Sequence, residues 1–265
     1  MGGTGQELEP SVAVDLSGAV VLAAEYTESL TLYGGPTLTS QGSSDLLLVR
    51  YDGEGALSWA RSLGGVGQDM VPRVEVDAAG DVFLAAAFEG VVDFGGGPFS
   101  ASDARDLAVA KFDGASGAHL WSKTFGGGAD DVPHGVAVDD SGDVAVTGWF
   151  GNALDFGGGP LTAGGAFVAK LSGTDGSHLW SKGLSSGQND GGCGLGFDDA
   201  GDLVVSGWFQ GQLDFGGGPL TAVDHSDAFV AKYDGVGGTH LWSRAFGGQS
   251  VDSSCAVAAT SDGDW

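Results

Sequence analysis

Short apolar runs recur along the whole chain and are separated by turns rich in Gly and Asp. The clearest copy extends over residues 135–182 and reads GVAVDDSGDVAVTGWF, then GNALDFGGGPLTAGG, then AFVAKLSGTDGSHLWSK. Runs of this length are typical of β-strands, and here Val, Ala, Phe and Leu occupy both faces of each run. The pattern therefore predicts four strands per copy, in small sheets that are covered on both sides.

Overlaying the copies aligns a tryptophan and an aspartate at spacings of 59 or 62 residues. The two sets are Trp59, Trp121, Trp180 and Trp242, and Asp15, Asp77, Asp139 and Asp198. Self-similarity at a fixed period indicates a repeat architecture. We predict a single domain over residues 1–265, with units at about 8–69, 70–131, 132–190 and 191–252 and part of a fifth at 253–265.

Glycines recur at two matched turn positions in every unit. The first hairpin repeats a glycine at Gly18, Gly80, Gly142, Gly201 and Gly263, and the loop before the tryptophan repeats one at Gly55, Gly117, Gly176 and Gly238. A type I turn that is closed by a left-handed residue requires this placement. Each unit is therefore predicted to be a four-stranded antiparallel meander.

Four-stranded units in series favour a β-propeller, in which neighbouring sheets cover one another, with a solenoid as the alternative. The unit of about 61 residues exceeds the roughly 40–45 of a common blade. The surplus lies between the second and third strands, in LDFGGGPLTA and the residues after it. The length of this insert varies between units, which predicts an exposed loop.

Charge excludes some partners. The chain has 35 acidic and 10 basic residues and a net charge of −25, which repels nucleic acid and anionic membrane surfaces. No stretch approaches the roughly 20 apolar residues that span a bilayer, and residues 1–10 do not resemble a signal peptide. Because the chain starts between strands and stops two residues after Gly263, we expect it to be cut from a longer, ring-forming protein.

The run from the Asp-rich hairpin through DAFVAKYDG and HLWSK resembles the repeat of bacterial β-propeller proteins that are secreted or held on the surface of myxobacteria and similar bacteria. The resemblance covers the whole chain and implies an extracytoplasmic propeller with no catalytic residue carried over. The segment DGASGAHLW at 113–121 is also similar to the tryptophan-docking repeat of quinoprotein dehydrogenases. The vicinal cysteines and cofactor-site set of those enzymes are not found in the sequence.

Most repeated polar residues are predicted to be structural. Eight of the ten cations fall at two repeat positions, and we expect them to pair with repeated aspartates such as Asp93, Asp155 and Asp214. The hairpins DDSGD, DAAGD and DDAGD suggest calcium, but turn formation explains both their Asp and their Gly. The histidines His119, His178 and His240 are interpreted as strand residues at a turn edge, with no serine or cysteine near enough to propose a triad.

A second set of acids lies where the chain crosses to the next unit, with a variable residue three positions later. The acids are Asp69, Asp131, Asp190 and Asp252, and the residues that follow include His134, Cys193 and Cys255. A ring of Asp131, His134, Asp190, Cys193, Asp252 and Cys255 would suit a metal, whereas turn-forming acids explain the pattern without one. Alternatively, Cys193 and Cys255 form a disulfide between adjacent inner strands.

Trp149 and Trp208 end the second strand, where earlier units have Ala87 and Glu25. An exposed indole beside Asp69, Asp131, Asp190 and Asp252 would stack on a sugar, and the insert is expected to share that rim; alternatively, both rings only pack under the longer loop. We therefore predict a non-enzymatic extracytoplasmic binding module for a glycan or protein ligand at the cell surface, with no cofactor. A propeller enzyme of the quinoprotein type and a purely structural repeat are the alternatives.

Overall fold

The structure is a computed structural model that describes residues 2–257, with the side chains of residues 2, 3, 7 and 103 left aside. Strands and turns make up the secondary structure of this range. Within it, no helix is long and apolar enough to cross a membrane. The chain divides into two compact units, residues 1–133 and 134–265, and each is described by itself.

The first unit contains blades 1 and 2. Blade 1 and its insert are formed by β1 (Gly2–Gly3), β2 (Glu7–Val14), β3 (Val20–Tyr26), β4 (Ser29–Thr31), β5 (Thr37–Thr39), β6 (Asp45–Tyr51) and β7 (Leu57–Val66). Blade 2 is formed by β8 (Asp69–Val76), β9 (Val82–Asp93), β10 (Pro98–Phe112) and β11 (His119–Phe125). The ends of β9 and β10 extend beyond the blade and form its insert.

The second unit contains blades 3 and 4. Blade 3 and its insert are formed by β12 (Asp131–Val138), β13 (Val144–Phe150), β14 (Ala153–Leu154), β15 (Leu161–Thr162), β16 (Gly165–Leu171) and β17 (His178–Leu184). Blade 4 is formed by β18 (Gly191–Phe197), β19 (Leu203–Asp214), β20 (Pro219–Tyr233) and β21 (His240–Phe246). The residues of the fifth unit beyond 257, including the predicted hairpin glycine Gly263, lie outside the described range.

Each blade is an antiparallel meander, as the sequence predicts. The order is β12-β13-β16-β17 in blade 3 and β18-β19-β20-β21 in blade 4. In the first unit the two meanders are joined into one sheet, because β7 of blade 1 also pairs with the insert end of β9 in blade 2. The predicted fold class is confirmed: the protein is all-β, with the four-stranded blades of a β-propeller.

The predicted hairpin turns are also confirmed. Gly80 has a φ of 86°, and the glycines at the same position in blades 1, 3 and 4 have φ values from 77° to 83°. Only glycine adopts this left-handed backbone at little cost. Asp77 completes the turn, because its Oδ1 accepts the N–H groups of Ala79 and Asp81 at 3.0 and 2.9 Å. Local chemistry thus fixes where each first strand turns into the second.

The repeated tryptophan fills the space between two blades of the same unit. Trp59 of blade 1 is 8 % exposed, and its Nε1–H donates to the carbonyl of Gly114 in blade 2 at 2.8 Å. Trp180 of blade 3 makes the same bond to Gly235 of blade 4 at 3.2 Å. Around Trp59, buried residues of both blades form one continuous apolar cluster. The interpretation of these rings as core residues is therefore confirmed for Trp59, Trp121 and Trp180, whereas Trp242 is half-buried.

The insert of blade 2 folds back along its own blade. It leaves the sheet where Phe88 pairs with Asp106, yet its tip contacts His119, which pairs with Phe112 at the opposite end. Phe94 in the insert is 2 % exposed and belongs to the core between blades 1 and 2. The DFGGGP tip is thus exposed as expected except at its phenylalanine, which is drawn into the core, but it does not stay on the predicted rim.

Candidate ligand-binding site

The cations at the first of the two repeat positions neutralise the hairpin acids, so the predicted pairing with Asp93, Asp155 and Asp214 is corrected. Lys111 Nζ lies 2.9 Å from Asp77 and 3.3 Å from Asp81, and Lys232 Nζ lies 2.5 Å from Asp198. Arg50 pairs with Asp15, and Lys170 with Asp139 and Asp143, in the same way. Although burial opposes both shifts, the mutual hydrogen bond lowers the pKa of Asp198 and raises that of Lys232. An ammonium or guanidinium group therefore stands where the calcium hypothesis requires a metal ion.

The acids predicted to line a ligand rim are buried. Asp69, Asp131 and Asp190 are at most 1 % exposed, and only Asp252 is half-exposed. Each accepts the N–H of the residue four positions earlier, for example Gly65 for Asp69 at 3.1 Å and Ser186 for Asp190 at 2.6 Å. Gly127 and Gly248 make the equivalent bonds. The prediction that these carboxylates contact a ligand is corrected for the three buried acids, which close the turn after the fourth strand.

The alternative metal ring is also corrected. Cys193 and Cys255 form a disulfide with a Cα–Cα distance of 4.8 Å, so their thiolates are not free to bind a metal. His134 Nδ1 lies 3.0 Å from the carbonyl oxygen of Gly192, a hydrogen bond in which the ring nitrogen donates. Among residues 2–257, no group of three or more His, Cys, Asp or Glu side chains is placed to hold a metal ion.

The two tryptophans predicted to stack on a ligand are half-buried. Trp208 packs over the backbone of Gly191, where an added Cβ would lie 2.2 Å from the indole. Its ring centroid is 5.9 Å from that of His134. Trp149 pairs with Ala166 at the same place in blade 3. Each indole is thus partly committed to packing and shows only part of its surface to solvent.

An open pocket of about 520 Å³ lies between blades 1 and 2 of the first unit. Its wall from blade 1 includes Gln41, Arg61 and Gly64, and its wall from blade 2 includes Asp93 and His119. Phe94, Phe112 and Leu63 form an apolar floor. Pockets of a few hundred Å³ with an apolar base and a few placed polar groups are typical of small-molecule sites.

Three polar side chains of this pocket are held in fixed positions. Arg61 donates from Nε to the carbonyl of Gly117 and from Nη2 to that of Ser116, both at 2.9 Å. One oxygen of Asp93 accepts the N–H groups of Gly95 and Gly97 at 2.7 and 3.1 Å. Both bonds use Oδ1, so Oδ2 of this exposed, pocket-lining residue is not engaged by either of them. The pocket thus offers a guanidinium, a carboxylate and an imidazole to a polar ligand.

His119 is fixed on two sides. Its Nε2 forms a hydrogen bond of 2.9 Å with Ser122 Oγ, and its ring packs on Gly96, where an added Cβ would lie 2.5 Å from Cε1. The expectation of no nearby serine is therefore wrong, because residues three apart at the start of this strand come into contact. His178–Ser181 and His240–Ser243 repeat the pair at 3.0 and 3.1 Å. Each of these histidines also lies against a glycine of its own insert. This repeated contact indicates that the histidine holds the insert in place.

The second unit repeats the chemistry of this pocket. Asp214 accepts the N–H groups of Gly216 and Gly218 at 2.7 and 3.0 Å, as Asp93 does for its own glycines. Lys182 stands at the position of Arg61, with Nζ 5.7 Å from the ring centroid of Tyr233. Sequence reasoning noted the repeated Asp and His separately. It missed that Asp93 and His119 line one pocket, since only the folded-back insert brings them to it.

Buried acids support the blade 1 wall of the pocket. Asp45 accepts the N–H of Gln41 at 3.1 Å and the hydroxyl of Ser62 at 3.4 Å, and both donors line the pocket. A Cβ added to Gly64 would lie 2.6 Å from Asp45 Cγ and 2.6 Å from Asp69 Oδ2. Glu25, 5 % exposed, is the third acid of the cluster.

This cluster changes the ionisation of Asp69. Burial raises its pKa to about 7; the N–H of Gly65 opposes the rise, and the charges of Asp45 and Glu25 add to it. Asp69 Oδ1 is buried without a hydrogen-bond partner. A buried carboxylate with one unsatisfied oxygen favours its neutral, protonated form.

Comparison with known proteins gives similar structures only. No protein-family model matches the chain, and no curated protein matches it. The similar structures include a protein of unknown function from Dyadobacter fermentans, at a TM-score of 0.48 and 13 % identity over 91 % of this chain and 69 % of that one. A GH43_1 enzyme from Xanthomonas citri has a TM-score of 0.42 and 13 % identity over 98 % and 90 % of the two chains. The Dos1 propeller has a TM-score of 0.44 and 12 % identity over 97 % and 68 %.

The sequence identities and the TM-scores are both low. The fold assignment therefore rests on the blade topology described above, and the activities named for these proteins are not transferred to this chain.

Proposed function

We propose that this chain is a non-enzymatic binding module that takes a glycan in the pocket between blades 1 and 2. The observation that carries the proposal is the convergence of Arg61, Asp93 and His119 above an apolar floor. Sugars present hydroxyl groups along their edge and C–H groups on their faces. Fixed charged groups beside an apolar base suit both surfaces.

The pocket volume and the repeat support the same proposal. A space of about 520 Å³ lies within the range of pockets that enclose a small ligand, such as one or two sugar rings. Because Asp214, His240 and Lys182 recur in the second unit, one chain would offer more than one site of the same kind. Linked sites of low affinity bind a multivalent glycan surface more tightly than any single site.

The test compares two aspartates that play the same role in their turns. Asp93→Asn removes the pocket charge but retains the Oδ1 acceptor for the N–H groups of Gly95 and Gly97. Asp52→Asn is the matched control, since Asp52 is exposed, lies outside the pocket and accepts the N–H groups of Glu54 and Ala56.

On a glycan array we expect the parent and Asp52→Asn to bind the same glycans. Asp93→Asn should lose about tenfold or more in affinity, as expected for a charged hydrogen bond. A parent that binds no glycan, or equal binding by both variants, would contradict the proposal.

We also propose an extracytoplasmic location, in line with the resemblance to secreted and surface proteins. The Cys193–Cys255 disulfide supports it, because such bonds persist in oxidising compartments. Trp149 and Trp208 are a second candidate surface for the same glycan, as each is half-buried and shows part of its ring. A Trp149→Ala, Trp208→Ala double variant on the same array would assign them a role if binding falls while folding is retained.

A further inference from the structure

Asp45 and Asp69 are buried beneath the pocket and lie close to each other and to Gly64. Asp45 Cγ and Asp69 Oδ2 lie within 2.6 Å of the same point beside Gly64, so they are no more than twice that distance apart. Both residues are 0 % exposed. Two carboxylates this close in a buried site do not both ionise easily.

Across the four blades, the position of Asp45 carries an acid only where the position of Gly64 carries a glycine. Asp106 and Asp227 stand at the position of Asp45 in blades 2 and 4, facing Gly126 and Gly247. A Cβ on either glycine would lie 2.1 or 2.3 Å from the carboxylate. In blade 3 Gly165 replaces the acid, and Ser185 replaces the glycine. The glycine is thus present wherever it must make room for the acid.

We propose that Asp45 and Asp69 share one proton, and that its loss loosens the blade 1 wall of the pocket and weakens ligand binding. The inference rests on the proposed function for its effect on a ligand. The geometry places the proton on Asp69: Asp45 accepts several hydrogen bonds, whereas Asp69 Oδ1 has no partner. A proton on Asp69 would reduce the repulsion between the two groups.

The charged groups that act on Asp69 come from two other strands. Asp45 lies on β6 and Glu25 on β3, and both disfavour ionisation of Asp69. The N–H of Gly65, on β7, is the one favourable contact recorded for Asp69 Oδ2 among the described residues. Ionisation would therefore push Asp69 and Asp45 apart around Gly64, which lines the pocket with Gln41 and Ser62.

The sign of the pH dependence follows from the direction of the shift. The pKa of Asp69 is raised from 3.8 in the reference state to about 7 in the folded protein. Its contribution to stability is fully present below about pH 4 and is lost as the pH rises to about 7. Between about pH 5 and pH 8 the folding equilibrium constant of the parent should fall about a hundredfold through this group alone.

The first test is independent of any ligand. Urea unfolding from about pH 5 to pH 8 is compared for the parent, Asp69→Asn and Asp252→Asn. Asn at position 69 still accepts the Gly65 N–H but does not titrate. The folding equilibrium constant of Asp69→Asn should therefore fall about a hundredfold less than that of the parent over this pH range. Asp252→Asn alters the same repeat position at a half-exposed site and should follow the parent. Equal pH profiles for the parent and Asp69→Asn would overturn the shared proton.

The second test measures the opening of the pocket wall and the binding of a ligand separately. Amide hydrogen exchange at Gln41 should become faster above about pH 7 in the parent than in Asp69→Asn, after correction for the intrinsic rate. On the glycan array, the signal of the parent should be roughly fivefold or more lower at about pH 8 than at about pH 6. The signal of Asp69→Asn should not change between these pH values.

The two tests have separable outcomes. If the array is blank at both pH values, the glycan proposal fails while the unfolding and exchange data still decide the proton. Pocket exchange or array binding that changes equally in the parent and Asp69→Asn would overturn the link between the acids and the pocket.

Discussion

Replacing Lys170 with methionine would test whether the buried cation is needed by the acids around it. Lys170 has a side chain that is 7 % exposed, and its Nζ lies 2.6 Å from Asp139 and 3.7 Å from Asp143. The same Nζ donates to the carbonyl of Gly235 at 2.9 Å. Methionine fills a similar volume but removes all three contacts, so the change isolates the charge and its hydrogen bonds.

The expected loss follows from the burial of the partner. Asp139 is 9 % exposed, and its charge would remain in the interior without the ammonium. Removing one member of a buried ion pair costs about 3–5 kcal/mol. The lower end applies here, since Asp139 retains the N–H groups of Ser141 and Asp143 and Asp143 is 26 % exposed. We therefore expect Lys170→Met to lower the free energy of unfolding by about 3 kcal/mol.

Urea unfolding followed by tryptophan fluorescence measures this free energy. Lys182→Met is the control, because Lys182 is half-exposed and its Nζ lies 5.7 Å from the Tyr233 ring centroid, a contact worth about 1 kcal/mol at most. Adding Asp139→Asn to Lys170→Met removes the stranded charge and should recover part of the loss. The reasoning is refuted if Lys170→Met costs no more than the control, or if the double variant is no more stable than the single one.

Two further changes have defined outcomes. Gly117→Ala should destabilise the protein more than Gly55→Ala: both glycines have positive φ, 66° and 83°, but only at Gly117 would the new Cβ meet the Trp59 ring, at 2.7 Å. We expect a difference of about 1–3 kcal/mol from this overpacking in urea unfolding, and equal losses would show that backbone strain alone decides. Reducing the Cys193–Cys255 disulfide should lower the melting temperature, and thiol titration of the denatured protein should find two thiols only after reduction.

The sequence alone determined the strands, their turns and their grouping into blades. These features depend on residues close together in the chain. Asp77 and Gly80 specify a hairpin through the backbone around them. The tryptophan at the position of Trp59 recurs because each unit packs in the same way. That each buried cation has an acidic partner was also predictable, because a buried charge requires one, but the partners are the hairpin acids and not Asp93, Asp155 or Asp214.

The position of the site was decided by the tertiary structure. Asp69 looks from the sequence like an exposed acid on a crossing loop, yet it is 0 % exposed because the segments of β3, β6 and β7 enclose it. Asp93 and His119 are 26 residues apart, and they line one pocket only because the insert bends back over its blade to bury Phe94. Burial and side-chain direction depend on contacts between segments far apart in the chain, and no local pattern encodes them.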